Sequence, residues 1–350
     1  MDGLAQLAPE PEATDEPLLP DSESNSAVLS WLVSRPDSLS PPDATARRVG
    51  MRDVAAMRTA ARMFARLDFL YGGGHGHTAL RHYFRHEVLP LLKANYSESV
   101  GRELFAVTAE IADLLAWTAY DTGNHALANR YFISALRMTQ ATGDRMMGGA
   151  ILADMSHQAN CLGYGERAVR LARAAIEGGK NCTTPRARAT FAVHEARALS
   201  TLGDLKVASR ALNEAEKHFE RVDRADDPKW LLYSDEAELV GEHSHCFRDL
   251  KRPVESLRFA EKAVAQTDPQ YARTLGFCRM VLARSRLLNG DLEGAVATAS
   301  LAVDEGESLQ SARFVRYVTD VQRVINDNAA VPVVAEFNER GRQALAELEE

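Results

Sequence analysis

From Asp53 onward the apolar positions recur at steps of three and four, the spacing that places them on one face of an α-helix. No run alternates apolar and polar residues as a half-buried strand would. The pattern also repeats. In LLAWTAYDTGNHALANRYFISAL (114–136) one helix is predicted to end at Gly123, and the next carries Ala128, Phe132 and Ala135 on one face. Gly163 is followed in the same way by Ala168, Ala172 and Ala175, Gly203 by Ala208, Leu212 and Ala215, and Gly290 by Ala295, Ala299 and Ala302. A degenerate copy has Lys251 in the glycine slot and then Ser256, Ala260 and Ala263. Successive slots are 40, 40, 48 and 39 residues apart (163−123, 203−163, 251−203, 290−251).

Small residues let two antiparallel helices approach closely, and glycine ends the first of them in a left-handed cap. One such pair cannot bury its own apolar face, so pairs must stack on one another. The fold class that follows is all-α: a right-handed α-solenoid of tetratricopeptide-like helix pairs with a period of about 40 residues, longer than the standard 34. Helices over Asp53–Leu70 and Thr78–Leu92 are expected to open the array, and Ser311–Ile325 and Val331–Leu348 to close it. Tyr71–His77 and Glu220–Lys229 read as the long loops.

Residues 1–50 form a separate segment. They contain seven of the thirteen prolines, nine acidic residues, three arginines and no lysine. Such a stretch buries too little apolar surface to offset its ordering entropy, so most of it is expected to be disordered, with residues 51–350 forming the solenoid. The apolar run Ala27–Val33 interrupts it and is expected to pack onto the same chain.

Composition narrows the function classes. A net charge of −8 and a pI near 5.8 argue against a basic nucleic-acid footprint. Four well-separated cysteines without a CxxC pair suggest a reducing compartment rather than a disulfide frame. No stretch holds eighteen apolar residues, and the acidic, Pro-rich start is unlike a signal peptide, so a cytoplasmic location is expected.

Several segments together resemble a known family. They are RRVGMRDVAAMR (47–58), LDFLYGGGHG (67–76), LLAWTAYDTGNHALANRYFISALRMTQATGDR (114–145), ADMSHQANCLG (153–163), ARALSTLGD (196–204), DPKWLLYSDEAEL (227–239) and LLNGDLEGA (287–295). These look like the C-terminal sensor region of actinobacterial helix-turn-helix transcriptional regulators that carry tetratricopeptide-type repeats. The resemblance implies a regulatory role in transcription and a homodimer through the C-terminal helices. Such regulators open with a DNA-binding head of about seventy residues, and residues 1–26 here are too short and acidic to be one. Direct nucleic-acid contact is therefore not carried over.

In this repeat class the first helix of each pair lines a concave groove. The inward positions are Glu110, Asp113, Trp117, Tyr120 and Asp121, then His157, Asn160 and Cys161, then Arg197, Ser200 and Thr201. Further along come Glu238, His245, Arg248 and Asp249, and finally Met280 and Arg284. Aromatic, Asn and Arg side chains together suit a peptide, a small effector or a partner protein. His82 and His86, four apart on one helix face, are a weak candidate for a metal site, and His243, His245 and Cys246 a weaker one. Neither has the ligand set of a known motif, so no metal or cofactor is expected. The turn Gly72–Gly76 has no P-loop context and reads as a chain reversal. The stripe Arg58, Arg62, Arg66 reads as a solvated helix face. No nucleophile–base order and no framed pair of carboxylates is present, so the expectation is a non-enzymatic sensor. A constitutive scaffold, or a DNA-binding regulator truncated before its head, are the alternatives.

Overall fold

The structure, a computed structural model, describes residues 21–33, 47–306 and 308–346. The expected disorder over most of residues 1–50 falls largely on 1–20 and 34–46, outside the described residues. Among the described residues there is no strand; the only bridge pairs Arg48 with Asn95.

The chain is an α-solenoid. A short helix α1 (Asp21–Val33) precedes an opening pair, α2 (Met51–Tyr71) and α3 (Gly73–Tyr83). α3 continues through a π turn at Phe84–Val88 and a last turn at Leu89–Leu91. Five pairs follow: α4 (Glu98–Asp121) with α5 (His125–Thr142), α6 (Arg145–Cys161) with α7 (Gly165–Gly179), α8 (Pro185–Thr201) with α9 (Leu205–Phe219), α10 (Glu236–Asp249) with α11 (Pro253–Gln266), and α12 (Ala272–Leu288) with α13 (Leu292–Glu305). A closing pair, α14 (Ala312–Ile325) and α15 (Pro332–Ala346), completes the array.

The local code works as the spacing predicts. Gly123, Gly163, Gly203 and Gly290 have φ of 83°, 89°, 79° and 81°, and Lys251 takes the same left-handed conformation at 55°. Behind three of these turns Asn124, Asp204 and Asp291 cap the next helix, accepting from the N–H of Leu127, Val207 and Gly294. The small-residue stripes are fully buried against the partner helices. Ser256, the polar member of the degenerate stripe, is also buried, and its hydroxyl hydrogen-bonds Ser285 Oγ at 2.6 Å.

One expectation is corrected. Tyr71–His77 is not a loop: only Gly72 breaks the helix, and Gly73–His77 are helical. The reason is close approach, because a Cβ on Gly73 would stand 2.8 Å from the Thr118 carbonyl oxygen and one on Gly74 3.0 Å from that of Gln310. The glycines here let α3 start against α4 and the α13–α14 turn. The ends of the array are not free. Gly74 N donates to Gln310 O and Gln310 N to Tyr71 O, both at 3.0 Å. α12 packs on α2 and α14 on α4, so the late pairs return onto the first ones and the solenoid closes. The loop Glu220–Lys229 is found, with Arg186 holding Asp227 at 2.6 Å and the Ser234 carbonyl at 2.5 Å.

The apolar run near the start packs on the chain itself, as α1 against α5 and α7. Trp31 is 1% exposed, with the Arg145 guanidinium 5.0 Å from its ring centre and also donating to its carbonyl.

Candidate ligand groove

Each pair reverses at its left-handed residue, so the inner helices α4, α6, α8, α10 and α12 run in the same direction. Distance from that residue therefore measures depth along the concave face. Asp113, Asp154, His194 and Glu242 stand nine or ten residues before Gly123, Gly163, Gly203 and Lys251, and Glu110 and Glu238 thirteen before their own turns. Six before the turns come Trp117, His157, Arg197, His245 and Arg284, and three before come Tyr120, Asn160 and Arg248. One layer is acidic; the other is aromatic and basic.

Contacts confirm the layers. The carboxyls of Asp113 and Asp154 hydrogen-bond each other, and Trp117 donates to Asp154. Burial pushes Asp154 up to about 7. Burial, then the charge of Asp154, drives Asp113 well above the ordinary carboxylate range. Glu238 is pushed up to about 8 by burial and by neighbouring Glu242. Glu110 is raised by burial, against the opposing pull of Arg58, whose Nε is 3.9 Å away.

In the other layer the His157 ring lies 5.4 Å from Trp117 and 5.9 Å from Tyr120. Its centre is 5.8 Å from His194 in the acidic layer. Burial, with guanidinium groups nearby, holds His157 down at about 3 and His194 at about 4, so both imidazoles are neutral at pH 7. Arg197 Nη1 approaches Glu242 Oε2 at 3.2 Å. Burial is the largest influence on the Glu242 carboxyl and raises it, but Arg197, His194, His157 and Arg313 together outweigh it and leave the group below its usual value. Arg248 pairs with its neighbour Asp249 at 2.6 Å. From the closing pair Arg313 reaches in, its guanidinium 5.3 Å from the Trp117 ring centre, 4.9 Å from Tyr120 and 4.8 Å from Phe277.

Several of these buried groups have no hydrogen-bond partner: Asp113 Oδ1, Asn160 Oδ1, His194 Nδ1, Arg197 Nε, His245 Nδ1 and Arg284 Nη1. An unsatisfied buried polar group costs about 1–3 kcal/mol, and native interiors hold few of them. Here six gather on one inner face. Solvent reaches the half-buried Asp113, Glu238, Arg248 and Arg284.

Of the predicted positions, Asp113, Trp117, Tyr120, His157, Asn160, Arg197, Glu238, His245, Arg248 and Arg284 come together on this face, with Glu110 at its acidic rim. Asp121 does not serve the groove. It accepts from Gly73 N at 2.8 Å, Ser311 Oγ at 2.9 Å and Arg273 Nη1 at 3.2 Å, and so belongs to the closure. Ser200 bonds Ala196 O, Met280 is fully buried in the core and Thr201 is exposed. Sequence reasoning missed Asp154, His194, Glu242, Arg313 and Tyr317. His194 and Glu242 each lie three residues before a predicted position on the same helix face, a signal that was present. Arg313 and Tyr317 sit on a pair with no left-handed slot by which to align them.

The fold keeps His82 beside His86 but separates His243 from His245. His82 and His86 have ring centres 4.4 Å apart on an exposed surface. His243 stacks on Phe259 at 5.0 Å, whereas His245 faces Tyr317. Among the described residues no group of three or more His, Cys, Asp or Glu is placed to hold a metal ion. Arg58 pairs with Glu103 of α4 at 2.7 Å, so that stripe is partly an internal contact. No helix among the described residues is long and apolar enough to cross a membrane.

No family model and no curated protein matches the chain. Among solved structures, the crystal structure of BtubC (BKLC) from P. vanneervenii is similar at 17% identity and a TM-score of 0.41, over 73% of this chain and 90% of that one. At that level the likeness adds nothing to the fold read from the helices themselves.

Proposed function

We propose that this chain is a non-enzymatic sensor or regulatory protein that binds a small effector, a peptide or a segment of a partner protein in its concave groove. The observation that carries the reading is the set of unpartnered polar atoms on the inner face. A ligand with complementary groups recovers the free energy lost in burying them. The transcriptional setting comes from the resemblance of residues 114–145 and the triple-glycine segment to repeat-containing regulators, and the action proposed is through partners rather than direct nucleic-acid contact. Because the first and last pairs touch, a ligand spanning the inner helices acts on the closure by favouring one curvature over another.

The test is thermal unfolding of the purified protein with and without a low-molecular-mass extract of its source cells. A ligand at a hundred times its dissociation constant stabilises by about 2.7 kcal/mol. The expected result is a concentration-dependent rise in Tm that Arg248→Ala abolishes. Absence of any shift across the concentration series replaces this reading with that of a constitutive scaffold.

A further inference from the structure

Building on the groove as the binding site, we propose that its ligand is a short dipolar molecule, with an amine or guanidine seated among Asp113, Asp154 and Glu238 and a carboxylate held by Arg197, Arg248 and Arg284.

Asp113 and Asp154 have no counter-charge of their own among the described residues, whereas in the same layer Glu242 is paired with Arg197 and Glu238 feels Arg313 and Arg197. Among the described residues, the charges that bear on Asp113 are the carboxylates of Asp154 and Glu110, and Asp154 is influenced by its hydrogen bonds to Trp117 and Asp113. His194 supplies an independent sign of a missing partner. It is 8% exposed, its Nδ1 is unpartnered, and it lines a cavity of about 10 Å³ together with Glu238 and Glu242. That volume holds about one water molecule. Neither Asp113 nor Asp154 lines the cavity, so it bears on the Glu238 end of the acidic layer alone, where a neutral imidazole accepts from an ammonium or guanidinium N–H. At the other layer Arg197 Nε and Arg284 Nη1 are buried donors with no acceptor. Guanidinium groups offered this way match a carboxylate.

Spacing fixes the ligand's length. The layers differ by three to ten residues of depth (9−6 to 13−3, with Glu238 the deepest), or about 5–15 Å at the rise of an α-helix. An α-amino acid carries both charges on one Cα and is too short. Two or three residues in extended form span about 7–10 Å, so a dipeptide, a tripeptide or an ω-amino acid of that length fits.

The test uses triglycine and 6-aminohexanoate, with glycine, N-acetyl-triglycine and triglycinamide as controls, each at millimolar concentration against the full chain in thermal unfolding and calorimetric titration. The two dipolar probes should give saturable shifts. Glycine, the acetylated form and the amide should each bind at least about tenfold more weakly. Asp113→Asn should remove the preference for a free amine over N-acetyl, and Arg284→Ala the preference for the carboxylate over the amide. Heat of triglycine binding to the unaltered chain should also vary with the ionisation enthalpy of the buffer, because a cation in the acidic layer displaces protons held there. Equal binding of the blocked and free forms overturns the proposal, as does no shift from either dipolar probe. If the dipolar probes fail while the cell extract still stabilises the protein, the groove reading survives and this inference falls; if the extract fails too, both fall.

Discussion

Gly178→Ala should reverse the sign that helix propensity assigns to it. Gly178 sits in the last turn of α7 with no positive φ, where alanine ordinarily stabilises a helix by up to about 1 kcal/mol. Here an added Cβ would stand 2.0 Å from Trp31 Cζ3 and 2.3 Å from Cη2. The indole cannot retreat, because a Cβ on Gly148 would meet Trp31 Nε1 at 2.2 Å. The ring is thus clamped between two glycines, and Arg145 covers its face. Losing a buried Trp costs about 3–5 kcal/mol, so the single variant should be destabilised by about 2–4 kcal/mol once the propensity gain is subtracted. In a Trp31→Ala background the clash is gone, and the same substitution should stabilise. A double-mutant cycle by urea denaturation should therefore give a coupling of about 3 kcal/mol or more, and limited proteolysis should cut α1 first in Gly178→Ala. If Gly178→Ala stabilises the otherwise unaltered chain, α1 is not seated on α7 and the reasoning fails.

Lys251→Gly should stabilise by about 0.5–1 kcal/mol in the same denaturation assay, since it relieves a left-handed residue whose cost exceeds the extra chain entropy of glycine. Gly203→Ala, with nothing within 4 Å of the added Cβ, should cost about 1–2 kcal/mol from backbone strain alone. Arg273→Ala leaves Asp68 buried without its counter-charge and Asp121 with Arg313 alone. It should cost about 3–5 kcal/mol and enlarge the radius of gyration in small-angle scattering; an unchanged radius would show that the Arg273 cluster does not hold the closure. The pH profile should fall on its alkaline side. Asp154 and Glu238 hold protons in the folded state up to about pH 7 and 8, against ordinary values of 3.8 and 4.5, so their contribution is complete at low pH and is lost as pH rises through the folded values. His157 and His194, held at about 3 and 4 against 6.5, act in reverse and lose stability as pH falls below 6.5. The two sets oppose each other between about pH 4.5 and 6.5, and above that the carboxyls act alone. Asp113→Asn with Asp154→Asn and Glu238→Gln should therefore flatten the Tm profile between about pH 6.5 and 8 while leaving the acid limb; a fall that persists in the triple variant rules those carboxyls out as its source.

What was legible in the sequence was local. A left-handed turn needs glycine, a close helix contact needs alanine or serine, and both leave a mark at fixed spacing; the mark is firm enough that Lys251 was placed in a left-handed slot without being glycine. Depth along the groove was legible for the same reason, since it is a count along one helix. Closure was not. Asp68 and Arg273 are 205 positions apart, at helix ends that the repeat pattern leaves unconstrained, and a period describes a row without saying whether the row returns on itself. Asp121 shows what this costs a face-based reading. Its position on α4 points it toward the groove, yet Gly73 N, Ser311 and Arg273 all compete for its carboxylate, and three donors at hydrogen-bond distance outweigh any solvated or ligand-facing arrangement. The same closure brings in Arg313, which turns from Asp121, 3.7 Å away, to the aromatic rings of Trp117 and Tyr120. Arg313 thus touches both the clasp and the groove wall. A ligand that displaces it from Trp117 acts on Asp121 as well, and groove occupancy and ring closure are then two ends of one electrostatic balance.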